Sequence, residues 1–165
     1  MTPYPTLAGF NQWATGHIYD CVAGLPDDAY RQDRKAFFGS IHATLNHLLL
    51  IDRLWIGRIK GKPVNISELD DILYTDFQEL RDAQRGENKA LIDLVGSYSE
   101  DALQSRISYE TSEGTPGERA VWLILTTLFN HQTHHRGQIH TMLTQAGITP
   151  PPLDIIYYAM DTGLE

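Results

Sequence analysis

Cysteine is nearly absent from this sequence of 165 residues, in which Cys21 is the only one. A single cysteine excludes an intramolecular disulfide and is typical of a protein in a reducing compartment. No run approaches the roughly 18 uncharged apolar residues of a membrane-spanning helix. The N-terminal residues also lack the basic and apolar segments of an export signal. We therefore expect a cytoplasmic protein with a single domain over residues 1–165.

Positive charge is also scarce. The chain carries 13 Lys and Arg against 21 Asp and Glu, for a formal net charge of −8. Nucleic-acid binding draws much of its affinity from cations that neutralise phosphates, and anionic membranes attract basic segments. We therefore expect neither a nucleic acid nor a membrane as a partner. Small molecules, a metal ion or a second copy of the chain fit this composition better.

Helical periodicity dominates the sequence, with apolar residues spaced three and four apart. Long helices are predicted from Tyr4 to about Leu25, Lys35 to Lys60, Tyr74 to Tyr98 and Pro116 to Ala146, and a short one from Leu153 to Met160. The stop signals are Pro26, Gly61-Lys62-Pro63 and Gly147. Residues 104–111 and the turn 113–117, which begins at Glu113, predict at most a short hairpin or an irregular loop. These elements predict an all-α four-helix bundle with long connections and a short C-terminal helix.

Histidine is the most informative residue type, because four of the seven histidines fall between His131 and His140. At 100° per residue, the last long helix has one apolar face. That face carries Trp122, Leu125, Phe129, Ile139 and Leu143. His131 and His135 lie one turn apart at its near margin, so both rings can reach one ion. His134 falls on the polar face and His140 on the far margin.

The second long helix offers a third ligand. His47 lies at the edge of an apolar face beside Ile51, whereas His42 points away from the same centre. Transition-metal sites with an open coordination position commonly use three protein ligands. The alternative is structural, because a histidine at a core margin is more often a hydrogen-bonded group than a ligand. His17, on the first helix, is predicted to be structural or to line a pocket.

Three segments of the chain resemble the DinB/YfiT-like family. Two correspond to its signature segments: SIHATLNHLLLIDRLW, residues 40–55, and NHQTHHRGQIHTML, residues 130–143. The third, PPPLDIIYY at residues 150–158, is similar to the usual C-terminal stretch of that family. The resemblance implies a four-helix bundle in which His47, His131 and His135 bind a divalent metal, often nickel or zinc. It also implies a frequent homodimer.

The function predicted from these features is that of a metal-dependent enzyme acting on a small molecule. A divalent ion with open coordination positions activates bound water or a thiolate. The resemblance implies a low-molecular-weight thiol, so S-transfer is preferred and hydrolysis is second. The alternative is a non-catalytic, stress-linked metal-binding or structural homodimer. No catalytic residue is predicted, because Gln132 replaces the glutamate of HExxH, and no phosphate loop or nucleophile triad is present.

Several other residues near these histidines need an explanation. Asp52 falls inside the apolar face, and a buried carboxylate is costly unless it is paired. We predict a structural hydrogen bond or salt bridge, to Arg136 or a tyrosine, and the alternative is a residue that orients a ligand histidine. Gln138 is predicted to face the pocket. Three leucines lie outside the main core face: Leu49, Leu50 and Leu54. We predict that they are buried against a dimer partner, and the alternative is a wide core contact within the chain.

Overall fold

Four long helices form the body of the protein. The computed structural model describes residues 2–62, 64, 66–111 and 114–164. The elements are α1 (Tyr4–Val22), α2 (Asp27–Arg31), α3 (Ile41–Ile59), α4 (Phe77–Gly96), α5 (Glu100–Leu103), β1 (Arg106–Glu110), β2 (Pro116–Ala120), α6 (Val121–Gln145) and α7 (Ile155–Thr162). Helices α1 and α3 each pack against both α4 and α6, which confirms the all-α four-helix bundle. Among the described residues, none of the helices combines the length and the hydropathy that a membrane span needs.

Three of the long helices begin later than predicted, and two of these, α3 and α4, begin at a polar cap. The Ser40 hydroxyl accepts a hydrogen bond from the Ala43 N–H at 3.1 Å, and the Asp76 carboxylate accepts one from the Glu79 N–H at 2.8 Å. The prediction of a helix from Lys35 is wrong, because Lys35 has a φ of 60° and lies in a loop that ends at the cap. Pro63, a predicted stop signal, lies outside the described residues.

A short hairpin precedes the last long helix. β1 and β2 pair antiparallel, from Arg106 opposite Ala120 to Glu110 opposite Pro116. The prediction that the helix begins near Pro116 is therefore wrong. Pro116 is the first residue of β2, a position that strands tolerate, and α6 begins at Val121. Glu113, predicted to lie in the turn, is outside the described residues.

The core consists of two hydrophobic clusters with a polar layer between them. One cluster contains Leu91 and Leu125, and the other contains Leu45 and Ile139. Hydrogen bonds join the side chains of the polar layer across α1, α3, α4 and α6. The residues of this layer, all buried, are Asn11, Asp52, Gln84, Asn88, Gln132 and Arg136. The layer ties all four long helices together by directional contacts, which sets their register more sharply than apolar packing alone.

Burial changes two of the expectations about apolar residues. Leu49 and Leu50 are buried within the chain itself, so the wide core contact accounts for them and they do not require a dimer partner. Trp122 was predicted on the core face, and that prediction is wrong, because 40% of its surface is exposed. Trp122 lies at the far margin of the apolar face, where a side chain is not covered by the neighbouring helices.

Candidate metal centre

Helices α3 and α6 bring three histidines into one cluster: His47, His131 and His135. One ring nitrogen of each lies within 4.8 Å of the others. Nε2 of His47 and Nε2 of His131 are 3.0 Å apart. The rings of His131 and His135 lie 4.4 Å apart between centroids, as expected for residues one turn apart on a helix. The fold therefore brings together the same three histidines that helical phasing selected.

Hydrogen bonds determine which nitrogen carries the proton in two of these rings. Nδ1 of His47 lies 2.7 Å from the carbonyl oxygen of Leu69. A carbonyl oxygen only accepts, so Nδ1 donates and Nε2 keeps its lone pair. Nδ1 of His135 donates in the same way to Oε1 of Gln138, at 2.7 Å. Gln138 thus faces the pocket, as predicted, and holds one ring of the cluster in a defined orientation.

Burial keeps the three rings neutral. The pKa of His131 is lowered to about 3. Burial is the largest cause, and the neighbouring His135 and His47 lower it in the same direction. Burial also lowers the pKa of His47 and of His135, although the hydrogen bonds to Leu69 and Gln138 act in the opposite direction. Neutral imidazole is the form that binds a metal. All three ligand candidates are therefore in the binding form at neutral pH.

The geometry of the cluster fits a divalent transition metal. Two nitrogen ligands of one such ion are about 3.0 to 3.4 Å apart, because each lies about 2.0–2.1 Å from the metal. The Nε2 atoms of His47 and His131 are 3.0 Å apart, which is within this range. Two lone pairs facing each other at that distance repel unless a proton or a cation lies between them. Nδ1 of His131 is buried without a hydrogen-bond partner among the described residues, so packing holds this ring.

The cluster lies in the wall of a cavity of about 960 Å³. Phe38 stacks on His47 with 3.9 Å between ring centroids and covers one face of the cluster. The other residues lining the cavity are Phe37, Ala43, Ile51, Trp55, Glu68, Leu69, Asp70, His134 and Gln138. Structural zinc sites are usually closed by four protein ligands. The described residues supply three, so a molecule in the cavity could complete the coordination of a bound ion.

The other histidines lie outside the cluster. His134 is exposed, as the helical phasing predicts, although its ring lies 4.8 Å from that of His135 and lines the cavity. The remaining three have other partners. The His17 ring packs on Trp13. His42 is hydrogen-bonded to the Tyr30 hydroxyl, and His140 to the Pro151 carbonyl. None of these three belongs to the group of side chains that can hold an ion together.

Asp52 has a hydrogen-bonded role, but its partners differ from those predicted. Its carboxylate accepts hydrogen bonds from Nε2 of Gln84 at 2.8 Å and Nε2 of Gln132 at 2.5 Å. Arg136 instead donates to Asn11. Burial raises the pKa of Asp52 to about 7, against the effect of the two hydrogen bonds. Neither glutamine was predicted as a partner, although each occupies a core-facing position of its helix.

The chain is similar to known proteins in both sequence and structure. A family model described as the DinB family matches residues 1–163. Protein DinB from Bacillus subtilis (strain 168) is 29% identical over 168 residues, covering 96% of this chain and 95% of that protein. The crystal structure of a DinB-like protein from Bacillus cereus ATCC 10987 matches with a TM-score of 0.63 at 22% identity, covering 85% of this chain and 90% of the other. The structural match supports the fold.

Proposed function

We propose that this chain, which belongs to the DinB family, binds one divalent transition metal, nickel or zinc, and uses it to act on a small molecule. The observation that carries the proposal is the cluster of His47, His131 and His135 in the wall of a large cavity. Three neutral imidazoles leave the full charge on the ion. A divalent ion held there supplies a Lewis acid that lowers the pKa of a bound thiol or water.

The chain's own residues have separate parts in this function. His47, His131 and His135 bind the ion through nitrogen lone pairs. The Leu69 carbonyl and Gln138 orient two of these rings by accepting their Nδ1 protons. Beside them, the Phe38 ring shields the face of His47 from water. A substrate can reach the cluster from the cavity, because no group among the described residues covers that side.

S-transfer from a low-molecular-weight thiol is the preferred reaction, and hydrolysis is the second. The support is chemical: a +2 ion with neutral ligands favours an anionic sulfur, and the apolar cavity walls suit an organic electrophile better than bulk water. A non-catalytic metal-binding or structural homodimer is the alternative from a different class. The cavity beside the open coordination positions favours the enzyme. A cytoplasmic location and a homodimer remain parts of this proposal.

Metal content tests the ligand set directly. Wild type and five single variants are purified, loaded with nickel or zinc, dialysed and measured by elemental analysis. His47→Ala, His131→Ala and His135→Ala should each lose stoichiometric metal, because two imidazoles bind far more weakly than three. His42→Ala and His134→Ala serve as matched controls and should keep it. Retention of full metal by any of the first three variants removes that residue from the ligand set.

The reaction class is measured on the same proteins. A set of low-molecular-weight thiols and electrophiles is incubated with metal-loaded wild type, metal-free wild type and His131→Ala, and conjugates are quantified by mass spectrometry. Conjugate should form only with the metal-loaded wild type. Full metal occupancy without conjugate from any thiol, but with ester or amide cleavage, would replace S-transfer by hydrolysis. Full occupancy with neither reaction would favour the non-catalytic alternative.

A further inference from the structure

The cavity beside the histidine cluster carries charged side chains of one sign only. Glu68 and Asp70 lie in its wall, and both are exposed. Neither Lys nor Arg is found among its lining residues in the described ranges. A bound molecule therefore meets two carboxylates and no protein cation.

These two carboxylates stand on a turn that is fixed relative to the cluster. The Asp71 carboxylate accepts hydrogen bonds from the N–H groups of Ser67 at 3.2 Å and Glu68 at 3.1 Å. Leu69, between Glu68 and Asp70, accepts the Nδ1 proton of His47 through its carbonyl. One hydrogen bond thus holds both the ligand ring and the segment that carries the acidic groups. The charges are positioned by this segment, which limits how far they can move from the cluster.

Apolar and aromatic side chains form much of the cavity wall away from the histidines. Phe37 has 85% of its surface exposed at the cavity, and Trp55 contributes an indole ring. Pockets that bind small organic molecules are lined mainly by apolar and aromatic side chains. The guanidinium of Arg58 lies 4.7 Å from the centroid of the Trp55 ring. Arg58 also donates to the Glu110 carbonyl and does not line the cavity.

We propose that the substrate of this cavity is an apolar or aromatic molecule that carries positive, not negative, charge away from its reacting sulfur. The inference rests on the proposed function, which puts the sulfur at the three histidines. A carboxylate or phosphate away from the reacting sulfur would face Glu68 and Asp70, while the bound thiolate and these two carboxylates already offset the charge of the +2 ion. An ammonium group is attracted by both carboxylates and can lie against the aromatic side chains.

Two thiols of matched length test the charge preference. Thiocholine and 2-mercaptoethanesulfonate share a two-carbon chain, and their quaternary ammonium and sulfonate groups do not chelate the metal. Each is titrated into cobalt(II)-loaded protein, and the thiolate-to-cobalt absorption gives the dissociation constant. Because the two thiols differ in intrinsic acidity, the measured quantity is the ratio of their dissociation constants, compared between protein variants.

The double variant Glu68→Gln/Asp70→Asn should lower the preference for thiocholine by about threefold to thirtyfold relative to wild type, the effect expected for charges several ångströms away at a protein surface. The control Glu79→Gln/Asp93→Asn changes the net charge equally on α4, outside the cavity, and should keep the wild-type ratio. The wild-type preference should also shrink at high salt, because exposed charges are screened.

Different outcomes separate this inference from the proposed function. Binding of both thiols with an equal ratio in wild type and in Glu68→Gln/Asp70→Asn overturns the charge inference and leaves thiol binding intact. Bound metal without binding of either thiol overturns S-transfer. In that case phenyltrimethylammonium and benzenesulfonate, followed by tryptophan fluorescence, decide the charge preference. A preference for the cation that the double variant loses supports the inference, and no preference overturns it.

Discussion

Asp52→Asn should change the stability of the protein in a pH-dependent way. The Asp52 carboxylate is fully buried and accepts hydrogen bonds from Gln84 and Gln132. An amide at this position keeps one acceptor oxygen and turns the other into a donor. Oε1 of Gln132 is buried and has no hydrogen-bond partner among the described residues, so a half-turn of the Gln132 amide lets it accept from the new N–H₂ group. The number of unpartnered buried atoms then stays the same.

The size of the effect follows from the pKa of the carboxyl group. Burial raises this pKa from 3.8 to about 7 in the folded state. The folded protein therefore binds the proton more tightly than the unfolded chain, and stability contributed by this group falls as pH rises from about 4 to above 7. At about 1.4 kcal/mol for each tenfold change in the binding constant, the full difference is about 4 kcal/mol. Between pH 5 and pH 8 the change amounts to about 2–3 kcal/mol.

Urea unfolding of the metal-free protein, followed by circular dichroism at pH 5 and pH 8, measures this change. The buried histidines, with lowered pKa values, make stability rise with pH up to about 6.5 in wild type and variant alike. Because that contribution is the same in both proteins, it does not affect the difference in the free energy of unfolding between Asp52→Asn and wild type. This difference should shift in favour of the variant by about 2–3 kcal/mol from pH 5 to pH 8.

A second substitution separates titration from hydrogen bonding. Asp52→Leu also removes the titrating group, so its difference from wild type should show the same pH dependence. It removes the acceptor of the Gln132 amide and leaves the Gln84 amide only its longer bond to Asn88, which should destabilise it by about 1–4 kcal/mol relative to Asp52→Asn at both pH values. A difference between Asp52→Asn and wild type that is equal at pH 5 and pH 8 would refute the raised pKa and its assignment to burial.

Two further predictions concern packing and the metal ligands. Gly57→Ala should destabilise the protein by about 1–3 kcal/mol, because the added Cβ would lie 2.7 Å from the Lys62 carbonyl oxygen. Gly86→Ala lies on α4, where the added Cβ would have no described atom within 4 Å beyond its own stretch of helix, and should stabilise the protein by about 0.5–1 kcal/mol in the same urea titrations. Gln138→Leu should weaken metal binding about 10–100-fold, since Nδ1 of His135 loses its acceptor. Competition with a chelator measures the metal affinity of each variant. The control Thr141→Val should keep the wild-type metal affinity. Equal metal affinities for the two variants would mean that Gln138 does not position the His135 ring.

Local sequence signals determined the elements and the selection of histidines. Periodicity located the four long helices, because apolar spacing reflects the 3.6-residue turn directly. The relation between His131 and His135 follows from one helical turn and needs no knowledge of the neighbouring helices. His47 was placed at the margin of an apolar face by the same argument. That the three approach within 4.8 Å agrees with this phasing, since each sits at the edge of a face turned towards the core.

Contacts between distant segments were decided by the tertiary structure alone. The sequence contains no local signal that the Leu69 carbonyl meets His47 or that Phe38 stacks on the same ring. The pairing of Pro116–Ala120 with β1 overrode a favourable helix start, because strand hydrogen bonds depend on a partner elsewhere in the chain. The partners of Asp52 likewise come from two other helices. Periodicity shows which side of a helix faces inward, but the side chains that meet there depend on the relative positions of the helices.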